Sequence, residues 1–205
     1  MKKFKIVNLK SALARRNRGM TYVELAVVLS IFSVLSSVVV FNHGDFQAKV
    51  DVKNLASDVG FKIITAQKAA LSGLWASAAL PGWKPAYGLY FDATEQKSFI
   101  YFADLNNDTY FDGLACGGGS ECLDQIAIAT NELISGLEVV YLGNPNPSGL
   151  DDLMVTFTRP DSGADLKSST PIGPELDYAL ITISTPRGAP TAQIKLYPSG
   201  RIEIN

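Results

Sequence analysis

Between Met20 and Phe41 run 22 residues whose only formal charge is Glu24. At about 1.5 Å of rise per residue such a helix spans the roughly 30 Å hydrocarbon layer of a bilayer. So apolar a run must be covered by lipid or by other protein, and this limits the rest of the chain to what can hang from one such helix. The flanks orient it. Lys2, Lys3, Lys5, Lys10, Arg15, Arg16 and Arg18 all precede the run with no acidic residue among them, and Asp45 and Asp51 follow it. A positive-inside bias therefore leaves the N-terminus cytoplasmic and the remainder outside. A secretory signal peptide also places basic residues before apolar ones. Against that reading, the apolar run is long, it contains a glutamate, and no clear small-x-small cleavage site follows Val40. An ordinary uncleaved anchor fits the length but gives no reason for Glu24 or for Arg15-Arg16-Asn17-Arg18-Gly19.

Beyond the apolar run, the 205 residues leave room for one globular domain. Seven of the 18 basic residues lie before Met20, so the chain from Met20 onward carries 11 basic against 20 acidic residues, a net of −9. An acidic body does not suit phosphate-backbone binding, and a nucleic-acid partner is disfavoured. Asn42-His43-Gly44-Asp45 is expected to loosen a helix, since glycine is a poor helix former. Phe46, Val50, Leu55, Val59 and Ile63 then recur at close to four-residue spacing among charged residues, which predicts an amphipathic stripe packed on the body. One helix is expected from about Met20 to about Ser72, with 20–41 spanning the membrane and 42–73 as its amphipathic extension.

A β-rich head is expected over 74–205, making the chain α+β with an antiparallel sheet. Residues 73–86 form the crossing to it. Strand-like runs follow at Tyr87–Phe91, Ser98–Phe102, Gln125–Thr130, Leu137–Leu142, Leu153–Thr158, Tyr178–Ser184, Ala192–Tyr197 and Arg201–Ile204. Gly143-Asn144-Pro145-Asn146-Pro147, Pro186-Arg187-Gly188 and Pro198-Ser199-Gly200 read as turns, and Ser162–Pro174 as a surface loop.

Two features of the head carry chemistry. Cys116 and Cys122 flank Gly-Gly-Gly-Ser-Glu, a spacer flexible enough for a disulfide that braces a loop and implies an oxidising compartment. Free thiols or half of a zinc site is the competing reading, but zinc needs two more ligands and the sole histidine, His43, is distant in sequence. Asp104, Asn106, Asp108 and Asp112 place oxygens at alternate positions and at the ninth of the string, as calcium requires. Thr109 and Ala115 stand where an EF-hand has its glycine and its bidentate glutamate, so a calcium loop here would be of another type, completed by Asp124 or a carbonyl. The same residues also suit an Asx-rich turn bonded to its own backbone. No catalytic serine motif or phosphate loop occurs, and an enzyme is not expected. Carboxylates are plentiful, but first as an acidic surface. Trp75, Trp83 and Tyr87 fit either packing where helix meets sheet or an exposed binding surface.

Arg18-Gly19-Met20-Thr21-Tyr22-Val23-Glu24-Leu25, followed by the apolar helix, resembles the processing signal of type IV prepilins and type II secretion pseudopilins. Met20 is the one departure, since phenylalanine is usual there. The resemblance covers about the first 40 residues. It implies a pilin-like fold, with residues 1–19 as a leader that prepilin peptidase removes between Gly19 and Met20 before methylating the new amine of Met20. It also implies a mature helix held in the bacterial inner membrane, then drawn by an assembly platform into a filament of pilin or pseudopilin subunits. A carboxylate at bilayer depth is costly and is expected to have a partner. Glu24 lies four residues from Met20 and so near its face of the helix. It pairs with the Met20 amine either within one chain or, as the assembly reading has it, in a neighbouring subunit. Ile194–Ile204 and Ser98–Asp108 are similar to segments of H-type pseudopilins and related minor pilins, and some pseudopilins hold calcium in this part of the head. The runner-up function is a single-pass anchored extracytoplasmic binding or adhesion domain.

Overall fold

The computed structural model describes residues 19–74, 84–113, 116 and 120–205. Helix α1 (Tyr22–Ser72) is followed by ten strands: β1 (Tyr87–Asp92), β2 (Ser98–Ala103), β3 (Cys122–Ala127), β4 (Leu133–Tyr141), β5 (Asn144–Gly149), β6 (Asp152–Phe157), β7 (Ala164–Lys167), β8 (Leu176–Ser184), β9 (Thr191–Leu196) and β10 (Ile202–Ile204). The chain divides into two compact units, one reaching to Gly44 and the other running from Asp45 to Asn205.

In the first unit, Tyr22–Val39 is long and apolar enough to cross a membrane, and none of it is buried. Val23 and Phe32 are more than two-thirds exposed. A stripe facing one core would leave the other face polar; apolar residues all round mark a helix meant for a nonaqueous or protein environment on every side.

The second unit holds the core. Its strands form two antiparallel five-stranded sheets, ordered β3-β2-β1-β6-β7 and β10-β9-β8-β4-β5. Alternation sets which residues point inward. Tyr87, Leu89 and Phe91 of β1 are buried with Val155 and Phe157 of β6, and Ala179, Ile181 and Ile183 of β8 with Leu137, Val139, Ile194 and Leu196. Both sheets contribute to one cluster with Val52, Ala56, Val59, Ile63, Ala66 and Ala70 of α1.

That stripe corrects the expected one. Val59 and Ile63 are fully buried, but Phe46 is 65% exposed, and alanines at 56, 66 and 70 do much of the packing. Small side chains let the strands approach the helix closely. At its end, Gly73 sits at φ 60. Its N–H donates to the Ala70 carbonyl at 3.0 Å, and the Leu74 N–H donates to the Ala69 carbonyl at 3.1 Å. These two bonds form a Schellman cap, which satisfies carbonyls a helix end would otherwise leave open.

Two expectations for the head are overturned. Gly143–Pro147, expected as a turn, is one only at Gly143, which sits at φ 79 and makes the turn with Leu142; from Asn144 the chain is edge strand β5. Ser162–Pro174, expected as a loop, contains β7, paired with β6 from Met154↔Lys167 to Phe157↔Ala164. Both are edge strands, the positions where prolines and short polar runs are tolerated. The third strand also begins earlier than expected, at Cys122 rather than Gln125.

Candidate functional site

The residues singled out in sequence fall in two places, one in each unit. At the start of α1, Gly19 and Met20 precede the first helical turn without regular structure, and both are exposed. Nothing lies within 4 Å of where a Gly19 Cβ would stand. Thr21 and Glu24 then close on one another. The Thr21 Oγ1 accepts the Glu24 N–H at 3.2 Å, and a Glu24 carboxylate oxygen accepts the Thr21 N–H at 3.4 Å. This is a reciprocal capping box. The Thr-x-x-Glu spacing that signals it is plain in the sequence, yet reading Glu24 for its charge alone missed Thr21 as its partner. Residues 1–18, Trp75, Trp83, Ala115 and the His43 side chain lie outside the described residues.

In the second unit, the connection from β2 to β3 folds over the outer face of the first sheet. Phe111 anchors it, its ring 5.2 Å from Tyr90 and 5.3 Å from Phe102. Gly88 makes room for this layer, since a Cβ there would stand 2.7 Å from the Phe102 ring. Cys116 and Cys122 are joined in a disulfide with Cα atoms 4.8 Å apart, tying the loop back to the first residue of β3.

The four oxygen-bearing side chains take separate tasks. Asp104 is fully buried and accepts the backbone N–H groups of Asn107 at 2.7 Å and Thr109 at 2.9 Å. Bringing both amides to one carboxylate puts Asn107 at φ 66 and Thr109 at φ 62. Asparagine tolerates that conformation; a β-branched threonine is strained in it. Asp108 accepts the Tyr110 N–H at 2.7 Å, and Asn106 accepts the Asp108 N–H at 3.1 Å. The Asn106 side-chain amide donates to Asp108 at 2.9 Å and Asp112 at 3.2 Å. Lys167 donates to the Thr109 hydroxyl and lies 4.3 Å from the centre of the Tyr110 ring.

Glu121 closes the loop from below. It is 6% exposed and accepts the Leu105 N–H at 3.0 Å on one oxygen and the Asp112 N–H at 3.1 Å on the other. Burial pushes its carboxyl above the ordinary range, the two amide bonds work against this, and the charges of Asp112 and Asp104 add to the rise. Its role has no signal in the sequence, because nothing local distinguishes it from the other acidic residues.

As folded, Asp104, Asn106, Asp108 and Asp112 each accept an amide N–H, and Asp104 is buried. Among the described residues no group of three or more histidine, cysteine, aspartate or glutamate side chains is arranged to hold a metal. Asp124 points elsewhere, meeting Lys62 of α1 at 4.0 Å. Tyr87, weighed as a binding aromatic, is 1% exposed and donates its hydroxyl to the Leu74 carbonyl at 3.1 Å. No family model, curated protein or solved structure matches the chain.

Proposed function

We propose that this chain is a prepilin-like structural subunit, a minor pilin or pseudopilin of a type IV pilus or type II secretion filament. The observation that carries the proposal is the unstructured, exposed Gly19–Met20 link directly ahead of an unburied apolar helix that holds Thr21 and Glu24 in its first turn. Prepilin peptidase cuts after Gly19 on the cytoplasmic side of the inner membrane and methylates the amine of Met20. The helix keeps the subunit anchored by a single pass with its head outside, until the assembly platform draws it among other subunits. An antiparallel head built on the second part of α1 suits this life, because assembly then leaves the folded head intact.

Glu24 gains a second role in this scheme. While the subunit waits in the membrane, the capping box gives the carboxylate a partner in its own chain, the Thr21 N–H, and lowers the cost of its depth. On assembly, the Met20 amine of a neighbouring subunit replaces the 3.4 Å bond to Thr21 with a charge-assisted one, which fixes register between helices. The test is expression with a prepilin peptidase followed by N-terminal sequencing. A chain starting at methylated Met20 is expected, and an uncut chain overturns the proposal. Glu24→Ala is expected to be cut normally but to enter filaments poorly; normal incorporation would remove the register role.

A further inference from the structure

In the second unit an open groove of about 420 Å³ runs between α1 and the outer margin of the first sheet. Leu55 and Phe61 of α1 line one wall, and Phe99, Ile126 and Ile128 the other. The groove is long for its volume. From Asp51 to Lys62 the helix wall extends about 16 Å, and the end of β3 with the irregular residues 128–130 forms the opposite wall. This is the footprint of four or five residues of extended chain.

The strand wall is an open edge. Among the described residues β3 pairs with β2 alone. The Ile128 N–H donates to the Lys97 carbonyl at 2.7 Å, and the register continues through Ser98↔Ala127, Phe99↔Ile126 and Ile100↔Gln125. In an antiparallel pair the bonded positions alternate, so the backbone N–H and C=O groups of Ala127 and Gln125 point away from β2. Edge groups of this kind template an added strand.

Charge selects the occupant. Asp51 and Asp58 stand on the helix rim, and neither belongs to an ion pair among the described residues; Lys62, the one cation on that rim, is engaged by Asp124. Phe61 is 65% exposed beside them. We propose that this groove takes an extended segment of a partner protein, added as a strand against β3, with a cationic side chain on Asp58 between apolar residues that cover Leu55 and Phe61. The proposal goes beyond the filament reading and stands whether or not the chain is cut at Gly19.

The test uses the full chain in detergent and three fluorescent peptides: Thr-Val-Thr-Lys-Thr-Val-Thr, which puts lysine between two valines on one face of a strand, the same peptide with glutamate for lysine, and the lysine peptide interrupted by proline. The lysine peptide is expected to bind by fluorescence anisotropy, and the proline peptide to bind at least tenfold more weakly. Asp58→Lys is expected to weaken the lysine peptide tenfold or more and to gain the glutamate peptide. Glu175→Lys, the same charge change at an exposed residue outside the groove, is expected to leave binding unchanged. Ala127→Pro removes a free-edge N–H and is expected to abolish binding; if that variant does not fold, the proline peptide interrogates the same hydrogen bonds from the other side. Equal weakening by Asp58→Lys and Glu175→Lys, equal binding of the plain and proline peptides, or no binding of the lysine peptide would each overturn the proposal.

Discussion

At the scale of single residues, the head depends on backbone conformations that only certain side chains permit. Gly200 sits at φ 81, and a Cβ there would stand 2.3 Å from the Ser162 carbonyl oxygen and 2.6 Å from the Gln67 amide nitrogen, the group that donates to that carbonyl. Gly200→Ala must strain the turn and break the bond from α1 to the 162 segment. A loss of about 2 kcal/mol or more is expected in denaturant unfolding. Glu121 makes a prediction about pH. Its folded carboxyl is raised above 4.5, so the folded state holds a proton that the unfolded state has released. Stability from this group is fully present below 4.5 and is lost as pH rises through the folded value. Glu121→Gln should flatten the melting temperature over that interval relative to wild type. It should also be less stable throughout, because an amide cannot accept both N–H groups.

Among elements, the disulfide and the loop it ties are the part most easily undone without loss of the whole. The closed loop has a sequence separation of six, which in the chain-entropy model corresponds to about 2 kcal/mol. Reduction is therefore expected to lower the melting temperature by about 4–8 °C while far-UV circular dichroism keeps its sheet signal, since Cys122 remains registered opposite Phe102. The elements also show what a sequence can reveal. Central strands such as Tyr87–Asp92 were legible because they are short aromatic and apolar runs bounded by turn residues, buried or half-buried at every position. β5 was not, because an edge strand needs only one partner and Asn144-Pro145-Asn146-Pro147 lies wholly in solvent; β7 was not, because only Ala164 and Leu166 of its four residues face the core, too short a run to show alternation. The alanines of α1 were missed for a related reason: a residue chosen for close approach looks neutral when sought as an apolar stripe. At the candidate site the cysteine pair and the Asx-rich string were visible, whereas Glu121 was not, since its partners are backbone amides brought together only by the folded loop.

For the whole molecule, charge is partitioned along the chain more sharply than its total suggests. The full sequence carries −2, and the part from Met20 onward −9. If the chain is cut after Gly19 as proposed, isoelectric focusing should move the product to a markedly lower pH than its precursor, a change of seven charges for a loss of 19 residues. A shift of one or two charges would mean a cut elsewhere. One contact also governs when the head can form. The side chain of Ile204 packs at Gly60 of α1, where a Cβ would stand 3.1 Å from it. β10 in turn is registered on β9 through Ile204↔Ile194. The helix side of the core is thus sealed by residues made last among those described, and such distant pairings close slowly. A ribosome delivering this chain across a membrane would release α1 long before the strand that covers it. On that route the helix face that β10 covers would stay open until β10 had followed.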